Sequence, residues 1–267
     1  MPEWMSLPLA VFGYTLLSAG FVLMKKGIGW IGFKGPKDRI FRTNLFVWIV
    51  GFIVMNLAVI PNTMALKYLA PHIVSSTAGW GVIVMVALSS LLLRERLFRS
   101  DGLYTVLIVG SIILLNLFET PRVEESFDLP LLVGSSALPF ILVLPAFFKR
   151  ASKRIRTVFL AGFSGIAAGM IVISLKVLVI LFGFRVSAYF ASPVLYLYLL
   201  FSLGAFVSLQ WAYKLGAMMR VGPVQYSASI IYPVLCSVVV FGDGIHPLQL
   251  AAIAVLVSAV VGILKKH

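Results

Sequence analysis

Long apolar runs, broken by short clusters of charge and proline, set the pattern of this chain. A helix of about 20 mostly apolar residues crosses the hydrocarbon core of a bilayer. Nine stretches approach that length: Leu7–Met24, Asn44–Ile60, His72–Leu93, Leu103–Phe118, Leu131–Phe148, Thr157–Phe182, Val194–Tyr213, Val221–Phe241 and Pro247–Leu264. The runs are continuous rather than alternating, and an open sheet edge cannot face lipid. The pattern therefore predicts an all-α integral membrane protein of about nine spans. The opening MPEWM carries Glu3 and no basic residue, so the first run reads as a retained span rather than a signal peptide.

Composition strengthens this reading. Only 12% of the 267 residues are charged and 61% are hydrophobic, whereas soluble domains carry about 25% charge. That excludes an ordinary soluble enzyme, a disordered protein and a disulfide-stapled domain. Cys236, the one cysteine, reads as a small core residue. The net charge of +13 raises nucleic acid as a partner, but the placement of the charges argues against it. With the N-terminus outside, 18 of the 22 Lys and Arg fall in inside loops. Lys67, Arg122 and Arg185 fall outside, and Lys176 lies within a span. Of the acids, Asp38, Glu95 and Asp101 are inside and the rest outside. Cytoplasmic loops collect Lys and Arg. The expectation is a plasma-membrane protein with an outside N-terminus and a cytoplasmic C-terminus. No segment is long enough to form a soluble basic face for nucleic acid.

An internal repeat accompanies the spans. ALKYLAPHIVSSTAGWGVIVMV (65–86) resembles AMMRVGPVQYSASIIYPVLCSV (217–238) at an offset of 152. Ala65/Ala217, Pro71/Pro223, Ser75/Ser227, Val82/Val234 and Val86/Val238 are identical, and Trp80 aligns with Tyr232. The two copies run in opposite directions across the membrane, as in inverted-repeat transporters. LLSAGFVLMKKGIG and GIAAGMIVISLKVLV are a second opposed pair. The predicted organisation is a first repeat of four helices (1–120), a linker (121–128) and a second repeat of five (129–267).

ALKYLAPHIVSS resembles the junction between the third and fourth helices of an EamA-type repeat in the drug/metabolite transporter superfamily. LLLRERLFRSDGLYTVLIVGSIILL resembles the end of that repeat. LLSAGFVLMKKGIG, ISLKVLVIL and the helix count are more similar to the NIPA-type branch, described as magnesium transporters. The resemblance covers most of the chain and implies secondary transport. EamA-type members usually have ten helices, and here the first set lacks one. Where NIPA-type proteins carry a glutamate, Phe46–Met64 holds Asn56 and Asn62 and no acid. That leaves Mg²⁺ without its usual carboxylate ligands.

The candidate solute-binding residues are Asn56, Ser75, Thr77, Trp80, Lys176, Gln210, Tyr226, Ser229 and Tyr232, with Ser76, Gln225 and Ser227 beside them. Polar groups in hydrocarbon face partners in the bundle interior. Such a cluster suits a central cavity, although Ser and Thr also serve plain helix packing. Lys176 is the one ionisable side chain deep in a span. An intramembrane charge is costly and marks a site by default. It also lies about 9 Å from the Phe182 end at 1.5 Å per residue, near enough to reach an interface. Pro71, Pro139, Pro145, Pro223 and Pro233 sit in or near spans, where they permit either gating or a static kink. Ser164 in GFSG lacks a nearby base for protease chemistry, and no metal or cofactor motif occurs.

The functional expectation is a non-enzymatic secondary transporter moving a small organic solute by alternating access, without a cofactor. Its partners are the solute and the lipid bilayer, with no nucleic acid, and a homodimer is the assembly left open. The alternatives are a NIPA-type Mg²⁺ or other cation transporter, a lipid-modifying membrane enzyme, and a non-transporting membrane subunit.

Overall fold

The computed structural model describes residues 6–30, 39–66, 77–118, 127–148, 151–183, 185–242 and 244–266. Its helices of eight residues or more are α1 (Ser6–Gly27), α2 (Arg39–Leu57), α3 (Val59–Leu66), α4 (Ala78–Leu93), α5 (Arg99–Leu117), α6 (Leu129–Val143), α7 (Lys153–Phe182), α8 (Pro193–Leu215), α9 (Met218–Val240) and α10 (Pro247–Lys266). Short 3₁₀ turns extend α1 and α6, at Ile28–Trp30 and Leu144–Phe147. The described residues contain no strand.

Among the described residues, eight helices are long and apolar enough to cross a membrane, with α2 and α3 counted as one stretch, Arg39–Ala65. The ninth expected span is represented by α4, whose 16 residues are apolar but short. At 1.5 Å per residue it reaches about 24 Å, against a hydrocarbon core of about 30 Å. Its predicted start at His72 lies outside the described residues. Large apolar side chains cover the outer faces: Phe46 is 67% exposed, Val106 67% and Leu203 64%. Lipid, not water, suits such surfaces.

Several helices begin earlier than their apolar runs. α5 starts at Arg99 rather than Leu103, because Asp101 is a buried N-terminal cap whose Oδ2 accepts the Phe98 N–H at 2.8 Å. α7 starts at Lys153, where the Ser152 hydroxyl accepts the Ile155 N–H. Its 30 residues give it about 45 Å, longer than the hydrocarbon core is thick, so its charged first turn extends past the core or the helix tilts.

The chain divides into two units. The first comprises 1–119, 217–222 and 248–267, and the second 120–216 and 223–247. In the first, α1 packs antiparallel on α2 through small residues. A side chain at Gly20 would collide with the Met55 and Gly51 backbones at 2.5–2.7 Å. Ser18 of α1 donates its hydroxyl to the Gly81 carbonyl of α4 at 2.7 Å. α5 and α10 run antiparallel, with Gln249 donating to the Leu115 carbonyl and Gly262 lying against the Tyr104 ring. Val22, Met24, Ile108 and Leu256 are buried there.

In the second unit α7 is central. It runs antiparallel to α8, with Ser164 donating to the Ala205 carbonyl at 2.8 Å and Thr157 against Gly216. It runs parallel to α9, where Gly165 meets Gln225–Ser229 and Gly169 meets Pro233. Ala167, Met170, Val177 and Phe201 form its core.

Two contacts bring distant ends together. Glu95 accepts N–H groups of Met218 and Met219, and the Asp128 N–H donates to the Val240 carbonyl at 2.9 Å. Four long helices separate the members of each pair. An even number of crossings returns a chain to the same face, so both contacts fit helices that alternate across a bilayer.

Candidate functional site

The second unit gathers most of the polar candidates. On α9, Gln225, Tyr226 and Ser227 are consecutive and 8%, 5% and 4% exposed. Gln210 on α8 is equally buried, and Tyr213 of α8 is close enough to Tyr226 to interact electrostatically. α9 can sit this near α7 because Gly165 leaves room. A side-chain carbon there would lie 2.3 Å from the Gln225 carbonyl oxygen and 2.7 Å from the Ala228 methyl.

The hydroxyls are used unevenly. Ser229 donates to the Tyr226 carbonyl at 2.8 Å. Tyr232 is buried and donates to the Ser135 carbonyl of α6 at 2.5 Å. The Ser227 and Ser174 hydroxyls are buried and have no hydrogen-bond partner among the described residues. Inside an apolar bundle, an unmet hydroxyl costs free energy on the order of 1–3 kcal/mol, and a polar ligand or water would offset it.

Lys176 is half-buried on α7. Its Nζ stands 4.1 Å from the ring centroid of Phe241, the residue after α9. The ammonium therefore reaches the end of α9, and the aromatic face receives its charge.

In the first unit the candidates are spread apart. Asn56 is exposed and donates to the Phe52 carbonyl at 2.8 Å, the usual local partner of a polar side chain on a helix surface. Thr77 precedes α4, and its carbonyl accepts the Trp80 N–H. The Trp80 indole N–H donates to the Thr15 hydroxyl of α1 at 3.0 Å, while the ring stays 43% exposed. Ser75 and Ser76 lie outside the described residues. Trp80 and Tyr232 thus hold equivalent sequence positions but differ in burial and in partner.

Sequence reasoning passed over Thr15, Ser174 and the Ser135 carbonyl. The two side chains did carry a signal, since each is a hydroxyl inside an apolar run. Their partners, or the lack of them, depend on which helix lies alongside. A shallow groove of about 420 Å³ lies between α5 and α10, walled by Tyr104, Leu107, Ala254, Val255, Ser258 and Ala259. It contains none of the candidate residues.

The apolar helices and their lipid-suited faces define the class, an all-α membrane protein. Compared with models of known protein families, with curated proteins and with solved structures, the chain matches none.

Proposed function

We propose that this protein is a secondary transporter that moves a small neutral or zwitterionic organic solute by alternating access. One observation carries the reading. Gln225, Tyr226 and Ser227 are buried side by side in a spanning helix, and the Ser227 hydroxyl lacks a partner among the described residues. Hydrocarbon gives that hydroxyl nothing in return, whereas a polar solute passing through would.

The packing lends support to an inverted repeat. In the first unit α1 contacts an antiparallel α2 and also α4. In the second, α7 contacts an antiparallel α8 and also α9. Of these, α1 with α7 and α4 with α9 are the pairs that the sequence repeat matches. Inverted repeats rocking about a midplane site are a common basis of alternating access.

Proteoliposomes containing the full chain, loaded with a mixed panel of neutral, zwitterionic and anionic solutes and with Mg²⁺, test the reading with and without a pH gradient. Uptake of a neutral or zwitterionic solute above empty liposomes is expected. Ser227→Val and Gln225→Leu should slow it while thermal unfolding in detergent stays cooperative. Folded variants with unchanged uptake would remove α9 from the path. Uptake of Mg²⁺ alone would replace the solute reading with a cation pathway.

A further inference from the structure

The connection between α6 and α7 carries a dense cluster of positive charge. Lys149, Arg150, Lys153, Arg154 and Arg156 fall within eight residues, and no acidic residue occurs between Asp128 and Asp243. Lys153 and Arg154 are exposed. Asp128 is the one carboxylate among the described residues of this unit, and it caps the opposite end of α6. Among the described residues of its own unit, the cluster therefore has no carboxylate beside it. It also occupies the wrong end of a helix. An N-terminus already concentrates positive partial charge, and the first turn of α7 contains no acid.

Exposed apolar side chains flank the cations. Phe147 is 60% exposed, Phe148 65% and Ile155 44%. Lys149 and Arg150 lie outside the described residues, and the backbone at Phe148 is tied to the first turn of α7. The Phe148 carbonyl accepts the Ala151 N–H at 3.0 Å and the Arg156 Nη2 at 3.2 Å.

We propose that the start of α7, with exposed Lys153 and Arg154 beside Phe147, Phe148 and Ile155, is a docking surface for anionic lipid headgroups in the leaflet it faces. Phe147 and Phe148 enter the hydrocarbon boundary, and the cations pair with headgroup phosphates. A membrane surface offers apolar depth and negative charge together. Free phosphate offers only the charge, which is why the exposed phenyl rings decide for lipid. Each Lys or Arg at an anionic surface contributes about five-fold in affinity, and salt weakens the attraction.

The test uses the full chain in neutral detergent, mixed with equal amounts of phosphatidylglycerol and phosphatidylcholine, with retained lipid counted by native mass spectrometry. The natural protein should retain phosphatidylglycerol preferentially. K153Q/R154Q should lower that preference by about five-fold or more. A control removing the same charge from the opposite side, K67Q/R122Q, should change it by less than about two-fold. F147S/F148S should reduce retention without altering charge. Should K153Q/R154Q fail to unfold cooperatively, R154Q alone reads the same ratio, with a loss of about two-fold or more expected. An unchanged preference in the turn variants, an equal loss in the control, or full competition by inorganic phosphate would each overturn the proposal.

Discussion

Glu95 holds the start of a helix 123 residues away. Its Oε1 accepts the Met218 N–H at 2.7 Å and its Oε2 accepts the Met219 N–H at 2.8 Å. Both amides belong to the first turn of α9, where backbone donors lack intrahelical partners and a negative charge is favoured. The carboxylate thus fixes where α9 begins, and α9 carries the buried polar residues. Glu95→Ala is expected to destabilise the protein by about 1–2 kcal/mol, as loss of a helix cap does. Glu95→Gln should cost less, because one acceptor oxygen remains. Thermal unfolding in detergent measures both, and an unchanged midpoint in Glu95→Ala would show that the contact is not formed.

The contact between α7 and α9 depends on Gly165. Gly165→Ala places a methyl 2.3 Å from the Gln225 oxygen, and the helices must part, at about 1–3 kcal/mol for overpacking. Gly162, three residues earlier, makes the control. Its added carbon would meet only Val224 at 3.9 Å, so Gly162→Ala should be neutral or stabilising by up to about 1 kcal/mol. Equal effects at the two positions would place α9 elsewhere.

Alternation across the membrane is open to labelling. In a Cys236→Ser background, cysteines at Arg96 and Lys214 should react from one face, because Glu95 touches the start of α9. Cysteines at Leu129 and Gly242 should react together from the opposite face, because Asp128 meets Val240. Reaction of Arg96→Cys and Lys214→Cys from different faces would contradict the even number of crossings. Cysteines at Glu3 and His267, labelled from opposite faces, would support nine spans, and from the same face, eight.

Tyr232 and Lys176 should separate by role. Tyr232→Phe removes the hydrogen bond to the Ser135 carbonyl and should cost about 1 kcal/mol in thermal unfolding. Lys176 lies over Phe241, a contact worth about 0.5–2 kcal/mol. Lys176→Met and Phe241→Leu should therefore destabilise to a similar extent, and the double variant by less than the sum. Full additivity would show that the two side chains do not interact.

The apolar runs determined by themselves that the chain is helical and suited to a membrane, because transfer into hydrocarbon depends on each segment's own composition and length. Four of the nine runs sit inside single helices and a fifth inside the α2–α3 stretch, while three more, counting the 3₁₀ turn of α6, overrun their helices by one residue. Sequence was less informative about helix ends. Arg39, Asp101 and Lys153 lie beyond the apolar stretches, yet capping and a wet interface let them continue the helices. It also could not say which helices pair. Small residues that permit close approach, such as Gly20, Gly51 and Gly165, are scattered along many runs, and each becomes a contact only when a particular neighbour arrives. Tertiary packing alone decided that α10 joins the unit of α5 through Gln249 and Gly262. It also gave Trp80 a hydroxyl on α1 and Tyr232 a carbonyl on α6, although the two hold matching places in the repeat. Apolar burial is nearly directionless and so is legible locally, whereas a hydrogen bond needs a partner that only the folded chain brings within 3 Å.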